Sequence, residues 1–181
     1  MKKSLATLSL GLLAGLAGNS AFATSGSVLF EGTITPETCP IEIVNPGNGS
    51  VNDRVAMGDI PVGRFTAANI EVRGASFDIR VPDKGACSIT EDNAYVQFDG
   101  AADTSGNYFR VDPVAGAATN VSIVIKDISN TSIAPGGTSV NYPLNATGPT
   151  DLRFDAYYRS TATGVQPGLA SAKVRYTVAY R

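Results

Sequence analysis

SAKVRYTVAYR, residues 171–181, closes the chain on a strict alternation. Ala172, Val174, Tyr176, Val178 and Tyr180 fall on one side of an extended backbone, and Lys173, Arg175 and Thr177 on the other. That is the period-two signature of a half-buried strand. A strand this apolar needs a neighbour on each edge or a cover, because exposed main-chain donors and acceptors beside an oily face invite pairing with another chain. The rest of the sequence has to supply that partner or leave the edge open.

Working back from this strand, the same pattern recurs. Alternating runs separated by Gly, Pro, Asn and Asp are read as strands at GSVLFEGTI (26–34), PIEIV (40–44), RVAMGDI (54–60), ASFDIRV (75–81) and AYVQF (94–98). YFRV (108–111), NVSIVIKD (120–127), SVNYPL (139–144), DLRFDAYY (151–158) and KVRYTVAY (173–180) follow. Phe77, Ile79 and Val81 share one face, as do Val121, Ile123 and Ile125, so both sets are core candidates. Helical periodicity is scarce after residue 23. Strands this short and regularly spaced predict an all-β chain folded as a two-layer sandwich with Greek-key connections.

The first residues stand apart. Lys2 and Lys3 precede LATLSLGLLAGLAG, an apolar run short for a bilayer, and AFA at 21–23 has the small-x-small pattern of a cleavage site. Residues 1–23 are read as a secretory signal, with Gly15 to Ala17 as a second cleavage site that would lengthen the exported N-terminus. One domain is expected to follow. Cys39 and Cys87, an even pair in an exported chain, read as a disulfide. With 14 basic and 16 acidic residues and no Lys/Arg cluster beyond the signal, nucleic acid is not an expected partner.

Catalytic chemistry finds little footing. The chain has no His, which removes the usual general base and imidazole metal ligands, and two Cys alone do not make a four-ligand site. Asp78, Asp83, Asp99, Asp103, Asp127 and Asp155 read as solvated charges beside turns or on polar strand faces. No enzyme, cofactor or metal is expected. Tyr157, Tyr158 and Arg159 could line a carbohydrate groove, but adjacent tyrosines on one strand face opposite sides, with only Tyr158 in register with Leu152 and Phe154.

The N-terminal stretch TSGSVLFEGTITPETC (24–39) bears on the open edge. Val28, Phe30 and Gly32 alternate with Leu29, Glu31 and Thr33, so the segment is strand-like where chains usually fray. Here the sequence resembles subunits of chaperone–usher fimbriae, the type 1 and P pilus family. Gly26, Val28, Phe30, Gly32 and Cys39 stand in that family's register, MGDI, FDIRV and ATNVSIVIKD match further on, and Gly168 with penultimate Tyr180 match its C-terminal signature. The likeness covers essentially all of residues 24–181.

The resemblance implies an immunoglobulin-like Greek-key sandwich lacking its last strand, completed by donor-strand exchange. Residues 24–35 would be the donor extension leading into the first strand, carrying Gly26, Val28, Leu29, Phe30 and Gly32, and residues 36–181 the incomplete domain. Leu29 is as apolar as Val28 and Phe30, so either face could enter a groove. The span from Gly168 to Arg181, with Val174, Tyr176, Val178 and Tyr180, would form one groove wall. A periplasmic chaperone would fill the groove first and grip the carboxylate of Arg181. At the outer-membrane usher the next pilin's extension would replace it, a β-strand addition. The expected role is a structural fimbrial subunit on the bacterial surface, exported through the periplasm and supporting adhesion. A carbohydrate- or receptor-binding adhesin module, with a host receptor as partner, is the alternative.

Overall fold

The computed structural model describes residues 39–181. Residues 1–23, read above as a signal, and 24–35, read as a donor extension, fall outside them. Nine strands occur among the described residues: β1 (Glu42–Val44), β2 (Glu71–Val81), β3 (Asn93–Gly100), β4 (Phe109–Arg110), β5 (Val121–Lys126), β6 (Ser132–Ile133), β7 (Tyr142–Pro143), β8 (Thr150–Ser160) and β9 (Val174–Tyr180). A single 3-10 turn, Val62–Arg64, accompanies them.

The strands form two antiparallel sheets. One runs β1-β2-β8-β5-β4, with β6 also on β5; the other runs β7-β3-β9. The all-β chain is thus an open, curled sandwich of incomplete immunoglobulin type. Its spine is the β2·β8 pair, where Phe77 lies opposite Phe154 and Ile79 opposite Leu152. Alternation explains why these two strands hold the core: in β8, Leu152, Phe154, Ala156 and Tyr158 are all buried.

Phe154 sits where the sheets meet. Its ring centroid lies 5.6 Å from Phe77, 5.0 Å from Phe98 and 5.5 Å from Tyr142. Phe98 and Tyr142 belong to β3 and β7, so one aromatic cluster joins the two layers; each such ring contact adds about 0.5–1.5 kcal/mol beyond burial. Cys39 and Cys87 are disulfide-bonded, with Cα atoms 5.7 Å apart and a sequence separation of 48. The bond ties the approach to β1 to the turn that follows β2.

Three readings of the sequence need correction. RVAMGDI forms no ladder: residues 54–61 are irregular, and Gly58 takes φ 71°, which ends any extended run. Val55, Met57 and Ile60 nevertheless pack against the core, so the apolar spacing was real although no described strand pairs with it. SVNYPL shortens to β7, where Pro143 has no N–H to give a ladder. Asp78 and Asp127 are buried, at 3% and 4% exposure, not solvated.

Their partners account for this burial. Asp78 accepts a charge-assisted bond from Arg153 on the neighbouring strand. Asp127 accepts from the Ser129 and Thr131 amides, the Ser129 hydroxyl at 2.6 Å and the Val140 amide at 3.0 Å. Four donors saturate a carboxylate that would otherwise be costly to bury.

Candidate functional site

Among the described residues, the terminal strand is bonded on one side only. β9 pairs with β3 in the register Ala94 opposite Tyr180 through Gly100 opposite Val174. One step beyond, Asn93 and Arg181 exchange both main-chain bonds, at 3.1 and 2.9 Å. In an antiparallel ladder such exchanging pairs alternate with pairs whose polar groups point away. Ala179, Thr177 and Arg175 therefore bond to β3, and the amides and carbonyls of Val174, Tyr176, Val178 and Tyr180 point outward.

β3 obeys the same alternation, since Val96 and Phe98 spend their main-chain groups on the opposite side, with Ser139, Gly136 and Gly137. β9 ends its sheet, and no described strand pairs with its outer edge. The four residues with outward main chains also carry the apolar side chains, which pack partly buried against the core. An unpaired edge and an oily face thus coincide along one strand.

Beside this edge lies an open groove of about 930 Å³. Phe77, Ile123, Ile125, Ala156 and Tyr158 from β2, β5 and β8 floor it. One wall is residues 165–174, which lead into β9; the other is the ladder-free segment 53–62. Val62 and Leu169 stand on the rim, 43% and 62% exposed. Asp53, Asp59 and Asp112, with Arg54 and Lys173, also line it, so the charge is mixed.

Main-chain bonds fix the 165–174 wall. The Ala118 amide donates to the Leu169 carbonyl at 2.9 Å, the Leu169 amide to Gly116 at 2.9 Å, and the Asp112 amide to Ser171 at 2.8 Å. Gly168 sits directly on this support: a Cβ there would come within 2.5 Å of the Ala118 nitrogen and the Gly116 oxygen. Val174 is the last residue of β9 to line the groove. The Tyr176 hydroxyl donates to the Ile41 carbonyl at 3.3 Å, reaching from β9 to the residue before β1.

The tyrosines in and beside the groove are not poised for acid–base chemistry. Burial pushes the Tyr158, Tyr176 and Tyr180 phenols up, and the Asp59 charge adds to the effect at Tyr158. Tyrosines raised this way stay protonated at neutral pH. No cluster of three His, Cys, Asp or Glu that would hold a metal occurs among the described residues.

Of the residues singled out from sequence, Gly168 and Val174 line the groove, while Tyr176, Val178 and Tyr180 continue its open edge. Arg181 lies past the strand; its guanidinium stacks 4.8 Å over Tyr95 and Nε donates to Asn141 at 2.6 Å. Gly26, Val28, Leu29, Phe30 and Gly32 lie outside the described residues. The wall at Val55, Met57 and Ile60 was missed; its only signal was the apolar spacing in RVAMGDI.

The tyrosine pair is split between the groove and the outer face of β8. Tyr158 faces in, whereas Tyr157 lies outward with the Lys126 ammonium 4.9 Å from its ring centroid, and Arg159 caps Tyr108 at 4.6 Å. One face of each outer ring is therefore covered by the protein's own cation, which leaves less aromatic surface for a sugar to stack on.

Comparison with known proteins adds a third line. The family model described as "Fimbrial protein" matches residues 28–181. The probable major fimbrial subunit LpfA of Escherichia coli O157:H7 is 30% identical over 162 residues, covering 89% of this chain and 86% of that protein. The type-1 fimbrial protein subunit of Serratia marcescens is 30% identical with both chains covered in full. Among solved structures, the P pilus rod subunit PapA superposes with a TM-score of 0.54 at 17% identity, over 78% of this chain and 99% of that one. A subunit in the structure of a chaperone–usher pilus gives 0.58 at 18% identity, over 87% and 96%.

Proposed function

Because this chain belongs to the fimbrial protein family, we propose that it polymerises head to tail, residues 24–35 of each next copy adding as a strand along β9 of the copy before it. As a family member it is a structural subunit, not an enzyme, exported through the periplasm to a fimbria on the cell surface. The family's route brings a periplasmic chaperone, an outer-membrane usher and other pilins as partners.

The single observation that carries the polymerisation reading is the outer edge of β9. Val174, Tyr176, Val178 and Tyr180 present main-chain groups with no described partner, beside an apolar groove. A donor suited to that edge must be extended and apolar at alternate residues. Val28 and Phe30 on one face meet this requirement, and Leu29 is the apolar residue on the other. Each large side chain fully buried would contribute roughly 1.5–3 kcal/mol before ordering costs. A donor at one end and an acceptor elsewhere make a heterologous contact, which extends without closing.

Deleting residues 24–32 tests the reading. The truncated subunit should still accept a chaperone, because its groove is intact, yet should fail to occupy the groove of another copy. Fibres of normal length from that variant would remove residues 24–32 as the donor.

A further inference from the structure

We propose that Met57 is an oxidation site whose reactivity depends on whether the groove is filled. Its thioether takes one oxygen from a peroxide while the groove is open and is shielded once a strand lies there. The inference rests on the reading above, in which a segment 24–35 enters the groove.

The sequence contains two methionines, Met1 and Met57, so Met57 is the one thioether beyond the signal. Both cysteines are tied in the disulfide, which leaves no free thiol among the described residues to compete for oxidant. Met57 is partly buried and lines the open groove. Its methyl rests on the β2 bulge, where a Cβ at Gly74 would approach the Met57 methyl to 2.8 Å and its Cβ to 2.9 Å. The bare Gly74 surface is what admits this side chain.

The consequence follows from what holds the wall. Residues 54–61 have no ladder, so side-chain packing by Val55, Met57 and Ile60 sets their position. Oxidation proceeds as the sulfur lone pair attacks a peroxide oxygen. The S–O bond forms while the O–O bond breaks, and the departing hydroxide takes the proton of the new S–OH group to leave as water. The thioether is oxidised to a sulfoxide and the peroxide is reduced. The new S–O dipole then lies in a groove where Phe77, Ile123 and Val55 offer it no donor, and the donors that do line it include Arg54, Lys173 and Tyr158. A strand entering the groove would have to bury that dipole or displace the wall.

Trypsin cuts after Arg54 and Arg64, so one peptide, residues 55–64, reports the gain of an oxygen on Met57 by mass. The exported chain is treated with hydrogen peroxide alone or with a saturating synthetic peptide of residues 24–35. Bound peptide should slow Met57 oxidation about tenfold or more, and the oxidised protein should bind peptide about tenfold more weakly. Met57→Leu, which conserves volume, should bind peptide equally well before and after peroxide. Equal oxidation rates with and without bound peptide, or equal affinity of oxidised and untreated protein, would overturn the inference while leaving the donor reading intact. A peptide that binds neither form would remove both.

Discussion

Gly168 and Ala118 touch through their main chains: a Cβ on Gly168 would lie 2.5 Å from the Ala118 nitrogen, well inside any real contact. The obstacle is backbone, so a flexible side chain cannot swing aside to relieve it. Gly168→Ala should therefore push the 165–171 segment off its support and lower stability by roughly 1–3 kcal/mol, the range for overpacking. Urea unfolding measures it. An unchanged midpoint would mean that the wall is not held by this contact.

Tyr142 supplies the second prediction. Its hydroxyl donates to the Arg153 carbonyl at 2.6 Å and accepts from the Ile128 amide at 3.1 Å, bridging β7, β8 and the turn after β5. Burial, together with the charges of Asp127, Asp155 and Asp78, raises its pKa to about 12, against the opposing effect of the Ile128 hydrogen bond. Tyr142→Phe leaves a main-chain donor and an acceptor unmatched and should cost about 1–3 kcal/mol. The aromatic packing on Phe154 is retained in this variant, so urea unfolding isolates the hydroxyl.

These contacts indicate what a sequence can and cannot disclose. The alternation in β8 and β9 is local, and it named the inward residues Leu152, Phe154 and Tyr158 without help from the rest of the chain. The open edge of β9 became an expectation only through family resemblance, because pairing depends on partners far off in sequence. RVAMGDI misled for that reason: Val55, Met57 and Ile60 are apolar, but no described strand pairs with them. Asp78 and Asp127 misled likewise, since their burial depends on Arg153 and Val140, and neither association is marked by spacing.

Acid should weaken the fold through its carboxylates. Burial alone would raise Asp127, but donors from Ser129, Val140 and Thr131 outweigh it and hold its pKa below the usual carboxylate value. Burial is likewise the largest influence on Glu71, yet hydrogen bonds and charge from Lys126 and Arg159 lower it overall. A folded pKa below the unfolded one means that stability is fully present above the unfolded value, near pH 4, and is lost as pH falls through the folded value. The urea midpoint should stay level from pH 7 to about 5 and drop below about pH 4. Asp127→Asn, whose amide would set a donor against the Val140 amide, should be destabilised at pH 7 by about 1–3 kcal/mol and converge on the parent in acid. A constant gap across that range would refute the carboxylate's role.

The disulfide gives the largest expected effect, and its position says where. Cys39 precedes Ile41 by two residues, and Ile41 is the acceptor that the Tyr176 hydroxyl reaches from β9. Releasing Cys39 from Cys87 would therefore do two things. It would enlarge the denatured ensemble, worth ~4 kcal/mol for a loop of this length in the chain-entropy model. It would also free residues 39–41, leaving β1 held by a three-residue register on β2. A Cys39→Ser, Cys87→Ser double variant should accordingly lose about 4 kcal/mol in urea unfolding. Hydrogen exchange should rise first in β1, before the β2·β8 core opens, since local opening begins where few buried contacts hold a segment. A loss below about 1 kcal/mol, with β1 protection unchanged, would show that pairing with β2 alone seats the strand.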